Sequence, residues 1–293
     1  MKGWIIVNNF LRIEKFLRMY NYLKESFSKE NIQLEVKFSG DVSEKLWGKG
    51  IEDSPSFVLF WDKDIYLAKQ LENKGVKVFN SSKSIELCDN KMLMYLELMN
   101  KGVRIPKTIL APKTFEGVNY NNLNFLDEAI KELGFPMVVK EAYGSFGKQV
   151  YLVENRTELE TLIKELNHKE FLMQEYIDSS YGIDIRVNVV GDEEIVSMNR
   201  NNPNDFRSNI SNGGKGKKVI LTKEQKDLAL KAIKALGCDF GGVDLLYGKQ
   251  GEPIVCEVNS NPNFESTLLC TGVDLSQYIA KHIKTKIKDL SNG

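Results

Sequence analysis

The sequence predicts a mixed fold, α/β over residues 1–88 and α+β from there on. Three observations predict it: strand-like and helix-like runs alternate up to Asn80, the later strand-like runs include adjacent pairs joined by short turns, and a helix with its own capping residues separates the two regions.

The leading region reads WIIVN (4–8), a helical stretch after Phe10, QLEVKF from Gln33, FVLFW (57–61) and VKVFN ending at Asn80. Strands separated by helices imply crossover connections, which give a parallel sheet covered by helices. Residues 64–73 carry helical periodicity, and Gly75 offers its stop. Asp89 or Asn90 can cap a following helix whose apolar side would hold Met92, Leu93, Leu96 and Met99, with Gly102 ending it. Strands are then expected at 137–140, 149–153 and 171–175, with YGSFGKQ turning between the first two and a helix at 157–166 before the third. Further strands follow at 183–190, 194–199, 242–247 and 253–258, with helices at 223–236 and from Val273 onward. The glycine-rich stretch 201–218 reads as a loop, and NGGKGKK (212–218) within it is either a mobile lid or a solvated connection.

Composition narrows the function. A chain of 293 residues with 42% hydrophobic content can bury substantial cores. Lys plus Arg and Asp plus Glu both total 40, so no global field recruits nucleic acid or an anionic membrane. The apolar run 4–7 is too short for a signal segment and no stretch is long enough to cross a bilayer, so the expected location is the cytoplasm. Cys88, Cys238, Cys256 and Cys270 lack CxxC spacing and read as reduced core residues, pairing only if the fold brings them together. His168 and His282 sit in charged helical contexts and read as solvated, which disfavours Ser/His and Cys/His catalysis.

Four segments carry chemistry. In DLLYGKQGEPIVCEVNSNP, Glu257 and Asn259 are two residues apart and share a strand face, while Asp244 lies on the preceding strand of the hairpin. Acidic groups on apolar strands need partners, and three oxygen-bearing side chains at one end of a sheet match the hard ligands magnesium takes alongside phosphate. In VVKEAYGSFGKQV, Lys140 ends a strand, and the turn with Gly144, Ser145 and Gly147 can lay backbone N–H groups against phosphate oxygens. In DFRSN, Arg207 and Asn209 alternate on an extended stretch and can both face a phosphoryl group. In FLMQEYIDSSYGIDIRV, the segment after a strand can hydrogen-bond an adenine, and Asp184 beyond it can accept from ribose hydroxyls.

In this order these segments resemble the ATP-grasp superfamily, and more closely its RimK-like carboxylate-amine ligases, which include glutamate ligases and lysine-biosynthesis ligases. The similarity runs from VFNSSKSIELCDNK through KEAYGSFGKQV, QEYI, DIRVNVVGDE, DFRSN and GVDLL to EVNSNP, most of the chain. It implies an N-terminal α/β domain (1–88) and two ATP-grasp lobes (89–175 and 176–293) that enclose ATP. It further implies Lys91 and Lys140 on the nucleotide, Glu175, Tyr176 and Ile177 as the adenine hinge, and Asp184 at the ribose. Arg207 and Asn209 would meet the phosphates, Arg207 steadying the transferring group, and Asp244, Glu257 and Asn259 would bind one or two magnesium or manganese ions. The implied reaction converts a carboxylate to an acyl phosphate, which an amine then attacks, releasing ADP and phosphate. The carboxylate would belong to a small molecule or peptide, the amine to an amino acid or other amine, and self-association is expected. A small-molecule kinase and a non-catalytic nucleotide-binding protein are the alternatives the same fold allows. Three departures from relatives stand out: Lys148 and Gln149 in the glycine loop, Asn212 after DFRSN, and Asn263 with Phe264 after the acidic strand.

Overall fold

The computed structural model describes residues 1–42, 54–208 and 213–292. The leading unit contains β1 (Lys2–Val7), α1 (Glu14–Lys29), β2 (Gln33–Phe38), β3 (Phe57–Trp61), α2 (Ile65–Asn73) and β4 (Val78–Phe79). Its strands form a parallel sheet in the order β2-β1-β3-β4. FVLFW is apolar throughout because all five residues are buried, as a parallel strand covered on both faces requires. Gly3 is small by necessity: a Cβ there would lie 2.4 Å from the Phe57 ring. Asp64 caps α2 by accepting from the Leu67 N–H at 3.0 Å.

Helices α3 (Ser82–Asp89) and α4 (Lys91–Asn100) follow. Asn90 is the cap of α4, accepting from the N–H groups of Met92 and Leu93 at 2.9 and 3.1 Å. The buried face of α4 differs from the expected one. Met94, Tyr95 and Leu98 are buried, whereas Leu96 and Met99 are 41% and 57% exposed. KMLMYLELMN is apolar around most of its circumference, so periodicity alone does not select a face.

The second sheet comprises β5 (Thr108–Leu110), β6 (Met137–Glu141), β7 (Val150–Val153) and β8 (Phe171–Glu175) in the antiparallel order β5-β8-β6-β7, with helices α5 (Phe125–Leu133) and α6 (Arg156–Leu166). Leu126, Ala129, Leu159 and Ile163 of the helices share one core with Val139, Phe171 and Met173 of the strands.

The third sheet contains β9 (Ile183–Val190), β10 (Glu193–Asn201), β11 (Lys215–Val219), β12 (Phe240–Tyr247) and β13 (Pro253–Asn259), ordered β11-β10-β9-β12-β13, with α7 (Lys223–Ala235) packed on one face. Strand β11 corrects the expected loop: residues 215–219 pair antiparallel with β10 at the sheet edge. KGKKV has no apolar alternation to reveal it, and exposed lysines on an edge strand discourage pairing with a further chain. Asn212 lies outside the described residues.

Helix α8 (Glu265–Thr271) leads to α9 (Leu275–Asn292), which returns to the first unit. Leu275, Ile279 and Ile283, at four-residue spacing, are fully buried in one cluster with Leu23 and Phe27 of α1. Each such side chain contributes about 1.5–3 kcal/mol by leaving water. The fold also brings two distant cysteines together: the buried free thiols of Cys88 and Cys238 are 3.5 Å apart. His282 is not a solvated surface residue, for it is largely covered and lies 3.5 Å from Asp239. Among the described residues no helix is long and apolar enough to cross a membrane.

Candidate active site

One cleft runs between the second and third sheets and is lined by both. Strand register explains the floor on the β9–β13 side. Arg186 pairs across to Asp244, and Asp244 pairs across to Glu257, so these side chains form one row on the same face. Arg200 stands opposite Asp184 in the adjoining row. The alternate residues Ile185, Val187, Val243 and Leu245 point to the opposite face and fill the core beneath α7. Period-two alternation thus separates a charged cleft floor from an apolar underside.

The floor is a buried charge network. Both Arg186 and Arg200 bind Asp244: Arg186 Nη2 and Arg200 Nη2 each lie 2.9 Å from Oδ2, and Arg186 Nε donates to Oδ1. Arg200 also holds Asp184, with Nε 2.7 Å from Oδ1. Burial opposes the charge of Asp244, but Arg186 and Arg200 overcome it and hold its carboxyl below the ordinary value. A carboxylate whose folded pKa lies below its unfolded value of about 3.9 adds stability above that value, which is lost as pH falls through the folded one. Asp244→Asn is therefore expected to melt below the parent at about pH 6, with the gap narrowing below about pH 4. Thermal melts at both pH values check this, and a pH-independent gap would contradict it.

The other side of the cleft supplies lysines and the glycine loop. Capping by Asn90 starts α4 with Lys91, whose Nζ donates to the Gly144 carbonyl at 3.2 Å and lies 3.6 Å from Glu257. Lys140 is buried at the end of β6, with Nζ 3.0 Å from the Tyr95 hydroxyl and 3.8 Å from Cys256 Sγ. Burial works against its charge, but Cys256, Tyr95 and Glu257 raise its pKa above the ordinary lysine value. The loop 144–147 takes left-handed backbone at Phe146 and Gly147, with φ of 59° and 72°. Gln149, one of the sequence departures, folds back on this loop and accepts from the Ser145 N–H at 3.2 Å. A Cβ at Gly144 would collide with it at 2.5 Å.

Arg207 ties the loop to the opposite lobe. Its Nη1 donates to the Gly147 carbonyl at 2.8 Å, while Nε and Nη2 donate to Asp205 at 3.0 and 2.7 Å. The Asp205 carboxylate raises the Arg207 pKa, so the guanidinium stays charged. Ser145 is held from the first unit, its hydroxyl 3.1 Å from Lys63 Nζ. At the far end, Glu175 secures β8 to the segment before β5: its carboxylate accepts from the Lys107 N–H at 2.7 Å, and its own N–H donates to the Lys107 carbonyl at 3.0 Å.

The cleft gathers Lys91, Lys140, Gly144, Ser145, Gly147, Glu175, Tyr176, Ile177, Asp184, Arg207, Asp244 and Glu257. Asn259 does not line it; it pairs with Gly242 one row beyond Glu257, and its Nδ2 is buried without a hydrogen-bond partner. Asn209 lies outside the described residues. Arg200 also lines the cleft but is absent from the sequence-based set. The available signal was its even spacing from Met198 on an alternating strand, which becomes informative only once Asp184 is known to stand opposite.

Residues 88–283 match the family model of the RimK-like ATP-grasp domain. An uncharacterised protein of Mycoplasma genitalium is 31% identical over 289 residues, covering 97% of this chain and 100% of that protein. "Probable alpha-L-glutamate ligase 1" of Shewanella sp. (strain MR-4) is 37% identical over 225 residues, covering 75% of this chain and 71% of that protein. The crystal structure of a RimK domain ATP-grasp protein from Sphaerobacter thermophilus superimposes with a TM-score of 0.74 at 19% identity, covering 96% of this chain and 99% of that one. The fold is therefore ATP-grasp, and the chain belongs to the RimK-like ATP-grasp family of ATP-dependent carboxylate-amine ligases.

Proposed function

We propose that this chain uses magnesium-ATP to join the carboxylate of a small molecule or peptide to the α-amine of an amino acid, with glutamate as the first amine to try. The observation that carries the reading is the cleft itself. Two basic side chains, a glycine loop and a clamping arginine face a row of oxygen ligands, although they come from widely separated stretches of the chain. Glutamate is suggested by the name of the Shewanella relative.

In this reading the backbone of Glu175, Tyr176 and Ile177 takes the adenine. Asp184 can still accept from a ribose hydroxyl, because a carboxylate has about four lone-pair sites and Arg200 does not use them all. Lys91 and Lys140 bind phosphate oxygens, the loop at Gly144, Ser145 and Gly147 covers them, and Arg207 spreads its charge over the group in transfer. Glu257 and Asn259 share a strand face and offer oxygen donors, with Asp244 opposite Glu257. Among the described residues no three His, Cys, Asp or Glu side chains gather into a metal cage. Magnesium takes one or two protein carboxylates together with phosphate oxygens and water, and the Glu257 carboxylate lines the cleft. When bound, the ion would neutralise phosphate charge. The protein's own part is to align carboxylate and phosphate and to exclude water.

The test is phosphate release from magnesium-ATP with glutamate against a panel of carboxylates, followed by mass spectrometry. A product that gains a residue with loss of water is expected. A phosphorylated product would assign the chain to the kinases instead.

A further inference from the structure

We propose that the crevice at the carboxyl ends of β1 and β3 holds the ammonium group of the amine substrate, through Asp62 and Asn261. The inference rests on the ligase reading and assigns its second substrate a place.

The sheet order puts this crevice at a topological switch point. From β1 the chain runs through α1 to β2 on one side, while β3 pairs on the other side. Open α/β sheets bind ligands outside the strand carboxyl ends at such a point. Val7 and Trp61 are register partners, so Asn8 and Asp62, the residues just beyond them, lie together in the crevice. The loop after β13 faces them, because Asn261 Nδ2 donates to the Asp62 backbone carbonyl at 2.9 Å.

The polar atoms there are acceptors left over. Asp62 is 7% exposed. Its Oδ1 accepts from Asn8 Nδ2 at 3.1 Å and from the Lys63 N–H at 2.7 Å, whereas Oδ2 is buried without a partner. Asn261 is oriented by its donated bond, and its Oδ1 is likewise buried without a partner. The adjacent cation, Lys63, points away to Asp89 and Ser145. Tyr20 nearby is a neutral phenol, its pKa pushed up to about 12 by burial and then by the Asp62 charge. Among the described residues, therefore, no cation pairs with this carboxylate.

A buried carboxylate oxygen is costly without a hydrogen-bonding cation. An ammonium carries three donors and no acceptor, which complements two unpartnered acceptor oxygens and repels none of its own atoms. A substrate carboxylate in the same crevice would be repelled. Position agrees with chemistry: Asn261 follows Glu257 by four residues, so it lies no more than about 14 Å along the chain from the acidic row that lines the cleft. Through Ser145, Lys63 joins the Asp62 turn to the glycine loop. Entry parts Asn261 from the Asp62 carbonyl, and Asp62 Oδ2 then takes one ammonium proton, so that the neutral amine forms its bond to the acyl carbon as the bond to phosphate breaks and phosphate leaves.

The experiment is steady-state ligation by the full chain with a panel of L-amino acids, glutamate first, comparing the parent with Asp62→Asn and Asn261→Ala. Hydroxylamine, uncharged at neutral pH, serves as an alternative acceptor that has no ammonium to place. The expected result is a rise of tenfold or more in KM for the amino acid in Asp62→Asn, and a smaller rise in Asn261→Ala. KM for ATP should be unchanged, and hydroxamate should still form, which also shows that the variants are folded. An unchanged amino-acid KM in both variants would overturn the ammonium site while leaving the ligase intact. A parent chain that ligates no amino acid yet forms hydroxamate would overturn the assignment of the second substrate. A parent that forms neither product would overturn the ligase reading, and this proposal with it.

Discussion

Glu257→Gln is expected to leave the fold intact and to lower magnesium-ATP turnover by about 10²-fold or more, the scale of losing one electrostatic contact to a transferring group. The substitution keeps the shape and one acceptor oxygen while removing the charge. Glu257 is partly exposed, with 29% of its side chain accessible, and its charged neighbour Lys91 retains the Gly144 carbonyl as a partner. Little packing is lost, so the effect should fall on chemistry. Glu257 and Asp244 stand opposite each other, a placement that costs energy for like charges unless cations intervene. Arg186 and Arg200 neutralise Asp244, which leaves the Glu257 charge turned toward the cleft. Turnover measured across a magnesium titration, with melting curves as the control for folding, checks the expectation. Unchanged turnover and unchanged magnesium dependence would rule Glu257 out as a metal ligand.

The second large effect is on stability. Arg200→Met should cost about 3–5 kcal/mol, because deleting one partner of a buried ion pair strands the other charge. Asp184, 5% exposed, would lose its bidentate partner, while Asp244 would keep Arg186. The double variant Arg200→Met, Asp184→Leu should recover much of that loss, since apolar residues of similar volume can replace a buried pair at little cost. Thermal and urea unfolding of both variants measure this. A loss below about 1 kcal/mol in the single variant would mean that the network is worth no more than a surface ion pair.

Much of the fold was legible because it rests on local patterns. FVLFW is bounded as read, PIVCEVN extends one residue beyond its expected end, and Asn90 caps α4 through its short side chain. Much of the candidate cleft was legible too, since Lys140 and the glycine turn lie at the end of β6, Asp184 at the start of β9, and Asp244 and Glu257 on facing strands of a hairpin. What failed were features whose meaning is set by neighbours distant in sequence. The buried face of α4 has no local signature, because an almost wholly apolar helix is alike around its circumference; packing against the third sheet chooses Met94, Tyr95 and Leu98. Strand β11 has no sequence signature, because lysines at a sheet edge do not alternate in hydrophobicity.

By itself, then, the sequence determined most of the longer strands and helices, the family and the kinds of side chain available to nucleotide and metal, since these depend on period, spacing and residue type. Tertiary structure alone decided which charges meet. Register places Arg200 against Asp184 and Asp244, loop closure sets Arg207 on the Gly147 carbonyl, and the switch point brings Asp62 beneath Asn261 across 199 positions of the chain. Pairings of this kind follow from strand register and the packing of separate units, and no local pattern encodes them.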